Sequence, residues 1–164
     1  MTSVQSKWQH EAMDLDEVDR RLLALLLDDG RLPVNELAQR ANVSRATAYN
    51  RFDRLRANGV VTGFTAVVPP DKVGLGVTAL VLVNVDQQHW GRTRDDLMDL
   101  PGLEYLALTS GQFDMVLLVR VADIAALRDV VLVRLHAVKG VRSTQTVFVL
   151  EEQRRPMDLT GGST

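Results

Sequence analysis

At Val60 the hydrophobic period of the chain changes, and that switch constrains the fold more than any single motif. Before it, apolar residues recur at helical spacing: Leu15, Val18, Leu22, Leu25 and Leu26, then Leu37, Ala38 and Ala41, then Ala48, Phe52 and Leu55. After it, short valine-rich runs alternate with helical stretches. A chain of 164 residues, 46% of them apolar, is long enough for one generous domain or two small ones. The reading is α+β, with helices first and an antiparallel sheet packed by helices second.

The first part carries its own punctuation. "LDEVDRRLLALLLDDGR" places acids in the first turn of a helix, where they suit the positive end of the dipole, and ends at Gly30. Pro33 sits where a first helical turn tolerates it, ahead of "VNELAQRA". Asn42 and Val43 then lead into Ser44, a good N-cap, and Asn58-Gly59 closes the helix it opens. The spacing therefore predicts three helices, the last two joined by a tight turn. "VVTGFTAVV" reads as two short strands about Thr62-Gly63, a small wing.

"PPDKVGLG" is a Pro/Gly-dense connector and marks a domain boundary. Beyond it the order is "VTALVLVNVD" (strand), "RTRDDLMDL" (helix), "LEYLALT" and "FDMVLLVRV" (strands), "DIAALRDVVLVRLHAV" (helix) and "VRSTQTVFVL" (strand). A β-α-β-β-α-β order is the ferredoxin-like arrangement, a βαββαβ sandwich with both helices on one face of an antiparallel sheet. The segments are thus an N-terminal extension at 1–13, a winged helix-turn-helix at 14–64, a linker at 65–76, the ferredoxin-like domain at 77–151 and a tail at 152–164. Glu151 to Arg155 could extend the last strand. Both alternating sets of "VTALVLV" are apolar, and Met115 to Val119 repeats this. A sheet with one wet face alternates apolar with polar, so the face away from the helices needs a cover. A second copy of the sheet supplies it in a homodimer; the wing or tail folding over is the alternative.

Charge is distributed unevenly. Residues 14 to 64 hold eight acids and eight arginines, yet between 44 and 58 Arg45, Arg51, Arg54 and Arg56 face only Asp53. With Ala48, Phe52 and Leu55 turned inward, Arg45, Thr47, Asn50, Arg51 and Arg54 lie outward from a helix that Ser44 starts. The second helix of a helix-turn-helix pair enters the major groove N-terminus first, and Arg and Asn suit guanine and adenine edges. The reading is a double-stranded DNA partner, set against an ordinary solvated arginine face.

At these residues the chain resembles the Lrp/AsnC family of bacterial transcription regulators. "LDEVDRRLLALLLDDGRLPVNELAQRANVSRATAYNRFDRLRANGVVTGF" is similar to its helix-turn-helix, and "VTALVLVNV", "PGLEYLALTSGQFDMVLLV" and "VKGVRSTQTVFVL" to its ligand-sensing domain. The turn often carries Gly where this chain has Asn42, the next-best residue for a left-handed backbone. The resemblance implies an effector, an amino acid or related metabolite, bound where dimers meet and assembled from "TSGQFD". Thr109, Ser110, Gly111, Gln112 and Asp114 would supply contacts, with Arg142, Ser143 and Thr144 contributed by a neighbouring subunit. It also implies four dimers in an octameric ring. Taken as turn chemistry alone, Gly111 is a turn glycine and Asp114 a turn cap.

Other functions fit less well. Haem-pathway decarboxylases are similar to this family in both domains, but His10, His89 and His136 form no cluster, and no catalytic triad spacing, metal motif or phosphate-binding glycine loop occurs. No enzyme, cofactor or metal is therefore expected. A ligand-binding oligomer without DNA binding is the third reading. The absence of cysteine removes disulfides, thiolate metal sites and a thiol nucleophile, and fits a reducing cytoplasm. Met1 to Met13 has no apolar run resembling a secretory signal, and no stretch is long enough to cross a bilayer, so no membrane partner is expected. Trp8 and Trp90 could be binding aromatics, but Trp90 at a strand-helix junction reads as packing.

Overall fold

The computed structural model describes residues 13–86 and 88–159; Trp8, His10 and the other residues of the N-terminal extension before Met13 lie outside the described residues. The chain divides into two compact units, one running to Ala66 and including residues from Arg154 onward, the other Val67–Gln153.

The first unit holds three helices, α1 (Glu17–Asp28), α2 (Val34–Arg40) and α3 (Arg45–Ala57). Asp16 and Asp19 open α1 with a reciprocal capping box, each carboxylate accepting the other residue's backbone N–H. Pro33 precedes α2 with no side-chain cap, and its carbonyl accepts the Glu36 and Leu37 N–H groups that open the helix. Leu22, Leu37, Ala38, Ala41, Ala48 and Leu55 are all at most 2% exposed, so the helical stripes read from the sequence do converge on one core. The α2–α3 turn needs a left-handed residue, and Asn42 supplies it at φ 55°. Arg21 reinforces the turn, its Nη1 donating to the Ala41 carbonyl at 2.9 Å.

The expected wing is absent among the described residues. Residues 60–68 form no strand, because nothing in this unit offers a backbone ladder to pair with. The segment is fixed differently. Val60 and Val61 donate to the Leu55 carbonyl, and the Phe64 ring stacks on Phe52 at 6.4 Å. Phe64 also lies against Gly30, where an added Cβ would meet its ring at 2.8 Å.

The second unit begins with a 3₁₀ turn at Pro70–Val73. It continues through β1 (Val77–Val85), α4 (Trp90–Met98), β2 (Leu103–Leu108), β3 (Met115–Val121), α5 (Ile124–Arg128) and β4 (Val141–Phe148). From Asp129 to Leu135 the last helix continues with π winding, coincident with the β-branched residues Val130, Val131 and Val133. The four strands are antiparallel in the order β2-β3-β1-β4, as the ferredoxin-like reading requires. One face carries Ala79, Val81, Val83, Met115, Leu117 and Val119, packed against Leu97 and Leu100 beside α4 and Leu127, Val130, Val131 and Leu135. The strand is not extended by Glu151 to Arg155, which lie past its end in irregular backbone.

On the opposite face Leu80, Leu82, Val116 and Leu118 are half-buried, and Tyr105 is 55% exposed. One end of this face carries Arg120, which is buried and ion-paired with Glu104 and Glu152 and donates to Thr78 Oγ1 at 2.8 Å. Burial alone would lower the Arg120 pKa, but hydrogen bonds to Glu152 and Glu104 hold it above the usual arginine value.

Candidate functional site

Ser44 starts α3 as read from the sequence: its Oγ accepts the Thr47 N–H at 3.0 Å and lies 2.8 Å from Thr47 Oγ1. The Thr47 hydroxyl thus pairs with the cap while the residue stays partly exposed. Inward-facing Ala48 and Leu55 leave an exposed stripe of Arg45, Ala46, Tyr49, Asn50 and Asp53. Among the described residues neither Arg45 nor Asn50 has a hydrogen-bond or ion-pair partner. Tyr49, 49% exposed, belongs to this stripe and was missed by the sequence reading. Its spacing of four from both Arg45 and Asp53 was the available signal.

Arg51 and Arg54 stay partly exposed, as the outward reading expects, but they are not free. Both reach across to the N-terminus of α1. Arg51 Nη1 donates to Asp16 Oδ2 at 2.5 Å and to both oxygens of Asp19 at 3.3 Å, and Arg54 Nη2 pairs with Asp19. Asp19 is fully buried. The local excess of positive charge on α3 is therefore largely answered by α1. The Asp16 carboxyl is held below its ordinary value, first by the Asp19 backbone N–H and then, against some desolvation, by Arg51. The Arg51 guanidinium is correspondingly raised, chiefly by its hydrogen bond to Asp16. Arg56 lies over the Phe52 ring at 5.9 Å.

In the second unit a cleft of about 440 Å³ opens beside the end of β1, lined by Asn84, Val85, Asp114, Arg142 and Ser143. The strand order explains it: β3 and β4 flank β1, so the start of each lies beside the end of β1. Asp114 Oδ2 accepts the Val85 N–H at 2.9 Å, leaving Oδ1 without a partner among the described residues. Arg142 is the extra residue of a β-bulge, since Asn84 pairs with Ser143 and Val85 with Val141. A bulge re-aims side chains, and here it brings an arginine with no ion pair among the described residues to the cleft. Asn84 Nδ2 donates to Ser143 Oγ at 3.2 Å. Asp114, Arg142 and Ser143 thus meet within one chain, whereas the resemblance had assigned the last two to a neighbour.

The remaining residues of the "TSGQFD" loop stand apart from the cleft lining. Thr109 Oγ1 donates to the Phe113 carbonyl at 2.6 Å, closing the loop on itself. Ser110 and Gln112 are exposed. Gly111 adopts φ 141°, a conformation that favours glycine, and a Cβ there would meet open space. Thr144 lies 3.2 Å from His136 Nε2 and does not line the cleft. Asn84 and Val85 were not anticipated, because nothing in the strand pattern distinguishes its last residues from the rest. Trp90 packs on the sheet core with the Arg94 guanidinium 5.8 Å from its ring centre, which fits the packing role.

This architecture defines a class: a helix-turn-helix transcriptional regulator with a separate ligand-binding domain. Residues 15–56 match the AsnC-type helix-turn-helix domain, and residues 78–157 match the Lrp/AsnC ligand binding domain. The chain belongs to the Lrp/AsnC family. The transcriptional regulator AldR of Mycolicibacterium smegmatis is 34% identical over 146 residues, covering 87% of this chain and 85% of that protein. The leucine response regulatory protein LrpA of Mycobacterium tuberculosis superposes with a TM-score of 0.74 at 33% identity, over 86% of this chain and 96% of that one. A transcriptional regulator of Neisseria meningitidis, solved as a complex with L-methionine, gives a TM-score of 0.82 at 26% identity, over 88% and 96% of the two chains. Among the described residues no helix is long and apolar enough to cross a membrane.

Proposed function

We propose that this regulator reads operator DNA with the N-terminal half of α3 and that a small amino-acid-like effector tunes its hold. The observation that carries the DNA assignment is the pair of unpartnered polar side chains, Arg45 and Asn50, on the exposed face of a helix with a fixed start. Base edges in the major groove complement Arg and Asn, while Arg51, Arg54 and the capped turn of Ser44 and Thr47 suit flanking phosphates. Arg45→Ala is expected to weaken operator binding by about 1–3 kcal/mol and relax preference locally. A gel-shift titration in which the variant matches the parent overturns the assignment.

The effector reading rests on the cleft. In it the effector's ammonium group sits at Asp114 Oδ1 and its carboxylate at Arg142, with Ser143 beside them; Ser110, Gly111, Gln112 and Thr144 lie outside the cleft lining and are left out of the site. The methionine complex of the Neisseria relative supports an amino acid as the ligand class. Two chains pair through the apolar face of the sheet, placing recognition helices on successive half-sites, and dimers assemble further to an octamer. An effector that binds one assembly better than another shifts the population and so the spacing of the heads. Asp114→Asn keeps an oxygen for the Val85 N–H yet removes the charge. It is expected to bind DNA like the parent and to lose its response to amino acids, read by thermal shift across an amino-acid panel. A parent-like response in the variant excludes Asp114 as the ammonium site.

A further inference from the structure

We propose that Asp16 and Asp19 of α1 are positioning residues for DNA recognition, holding Arg51 and Arg54 so that they meet phosphate in one geometry only. This rests on the DNA reading of α3. The capping box already occupies these carboxylates with backbone N–H groups, yet both also receive guanidinium groups from a helix that is 35 residues away in sequence at the Arg51–Asp16 and Arg54–Asp19 bonds. Asp19 has no exposed surface, and its charge is answered from α3 by Arg51 and Arg54 together.

Neither arginine is consumed. Their side chains remain 29% and 42% exposed, and each uses a single terminal nitrogen, Nη1 of Arg51 and Nη2 of Arg54, for the acids. A guanidinium carries five N–H donors in a rigid fork, so holding one nitrogen of each fixes the orientation of the donors that remain for a phosphate. A free surface arginine attracts any phosphate within reach and contributes to non-specific binding. A tethered one, with its charge largely balanced, contributes only where the backbone of the bound DNA meets its remaining edge. Tethering therefore costs general affinity and gains discrimination, the trade that specific binders make. The same bonds tie the start of α1 to the middle of α3.

The test compares the parent with Asp16→Asn and Asp19→Asn on two duplexes, an operator selected by the parent from randomised DNA and a random-sequence control, each over a salt series. Asn serves as well as Asp at an N-cap, so Asp16→Asn keeps the helix start while removing charge from a side chain that is 48% exposed. It is expected to bind the control duplex more tightly, with the salt slope steeper by about one, and to lower the operator-to-control ratio about tenfold. Asp19→Asn loosens both arginines and is expected to go further in the same direction. If it unfolds, as judged by circular dichroism, Asp16→Asn alone decides. A ratio and slope equal to the parent's in folded Asp16→Asn overturn the proposal, as does a parallel loss on both duplexes. Failure of the parent to select any duplex instead overturns the DNA reading of α3.

Discussion

Replacing Leu82 and Leu118 together by glutamate is expected to give a folded monomer whose operator affinity is lower by roughly two to four orders of magnitude, the range over which linked binding modules gain from acting together. The two leucines lie on the sheet face that no helix among the described residues covers, on the neighbouring strands β1 and β3, where Leu82 pairs with Val116 and Leu80 with Leu118. They are diagonal neighbours on one face, close enough for two carboxylates to act on the same partner surface. In a single chain both are half-buried, so a glutamate there reaches water and the core of Ala79, Val81, Leu117 and Val119 is untouched. Across a twofold interface four carboxylates would be buried without partners, which an interface of ordinary size cannot offset. Light scattering and far-ultraviolet circular dichroism read the two halves of this expectation. A dimer that survives both glutamates would show that another surface joins the chains.

Leu55→Ala is expected to lower the stability of the N-terminal unit by about 2–5 kcal/mol and its melting midpoint by more than about 10 °C. Leu55 is fully buried, and the Leu55 carbonyl also anchors the chain leaving α3 by accepting the Val60 and Val61 N–H groups. Truncation leaves a cavity facing α1 and α2 in a unit too small to redistribute the loss. Because the exposed stripe of Arg45, Tyr49 and Asn50 is untouched, DNA binding at low temperature is expected to survive and to disappear on warming earlier than in the parent. A thermal scan within about 2 °C of the parent would mean that Leu55 is not part of the packed centre.

Elements whose signals are local were legible in the sequence. The capped start at Ser44, the left-handed Asn42, the three apolar stripes and the β-α-β-β-α-β order all depend on residues within a few positions of one another. What was not legible depends on partners distant in sequence. The run around Thr62-Gly63 has strand propensity and a turn, but a strand also needs a neighbour to pair with, and Phe64 finds Phe52 instead. Helical periodicity correctly turned Arg51 and Arg54 away from the core, yet could not show that α1 would deliver two carboxylates to them. The loop of Thr109 to Asp114 was located, but only the strand order shows that Asp114 shares a cleft with the start of β4, and only the register slip shows that Arg142 does.

That slip also bears on what another extended chain meets at the margin of the sheet. β4 is an outer strand, and an outer strand presents a row of free N–H and C=O groups to any extended chain that drifts past. An invading strand needs an unbroken two-residue rhythm to lay down its hydrogen bonds. Arg142 interrupts that rhythm at one end of β4 and adds a charge, and Ser143 and Gln145 follow it with polar surface. The irregularity that brings Arg142 to the cleft on one side thus spoils a template for fibre growth on the other, and repairing it to a regular ladder is expected to expose the edge to stacking.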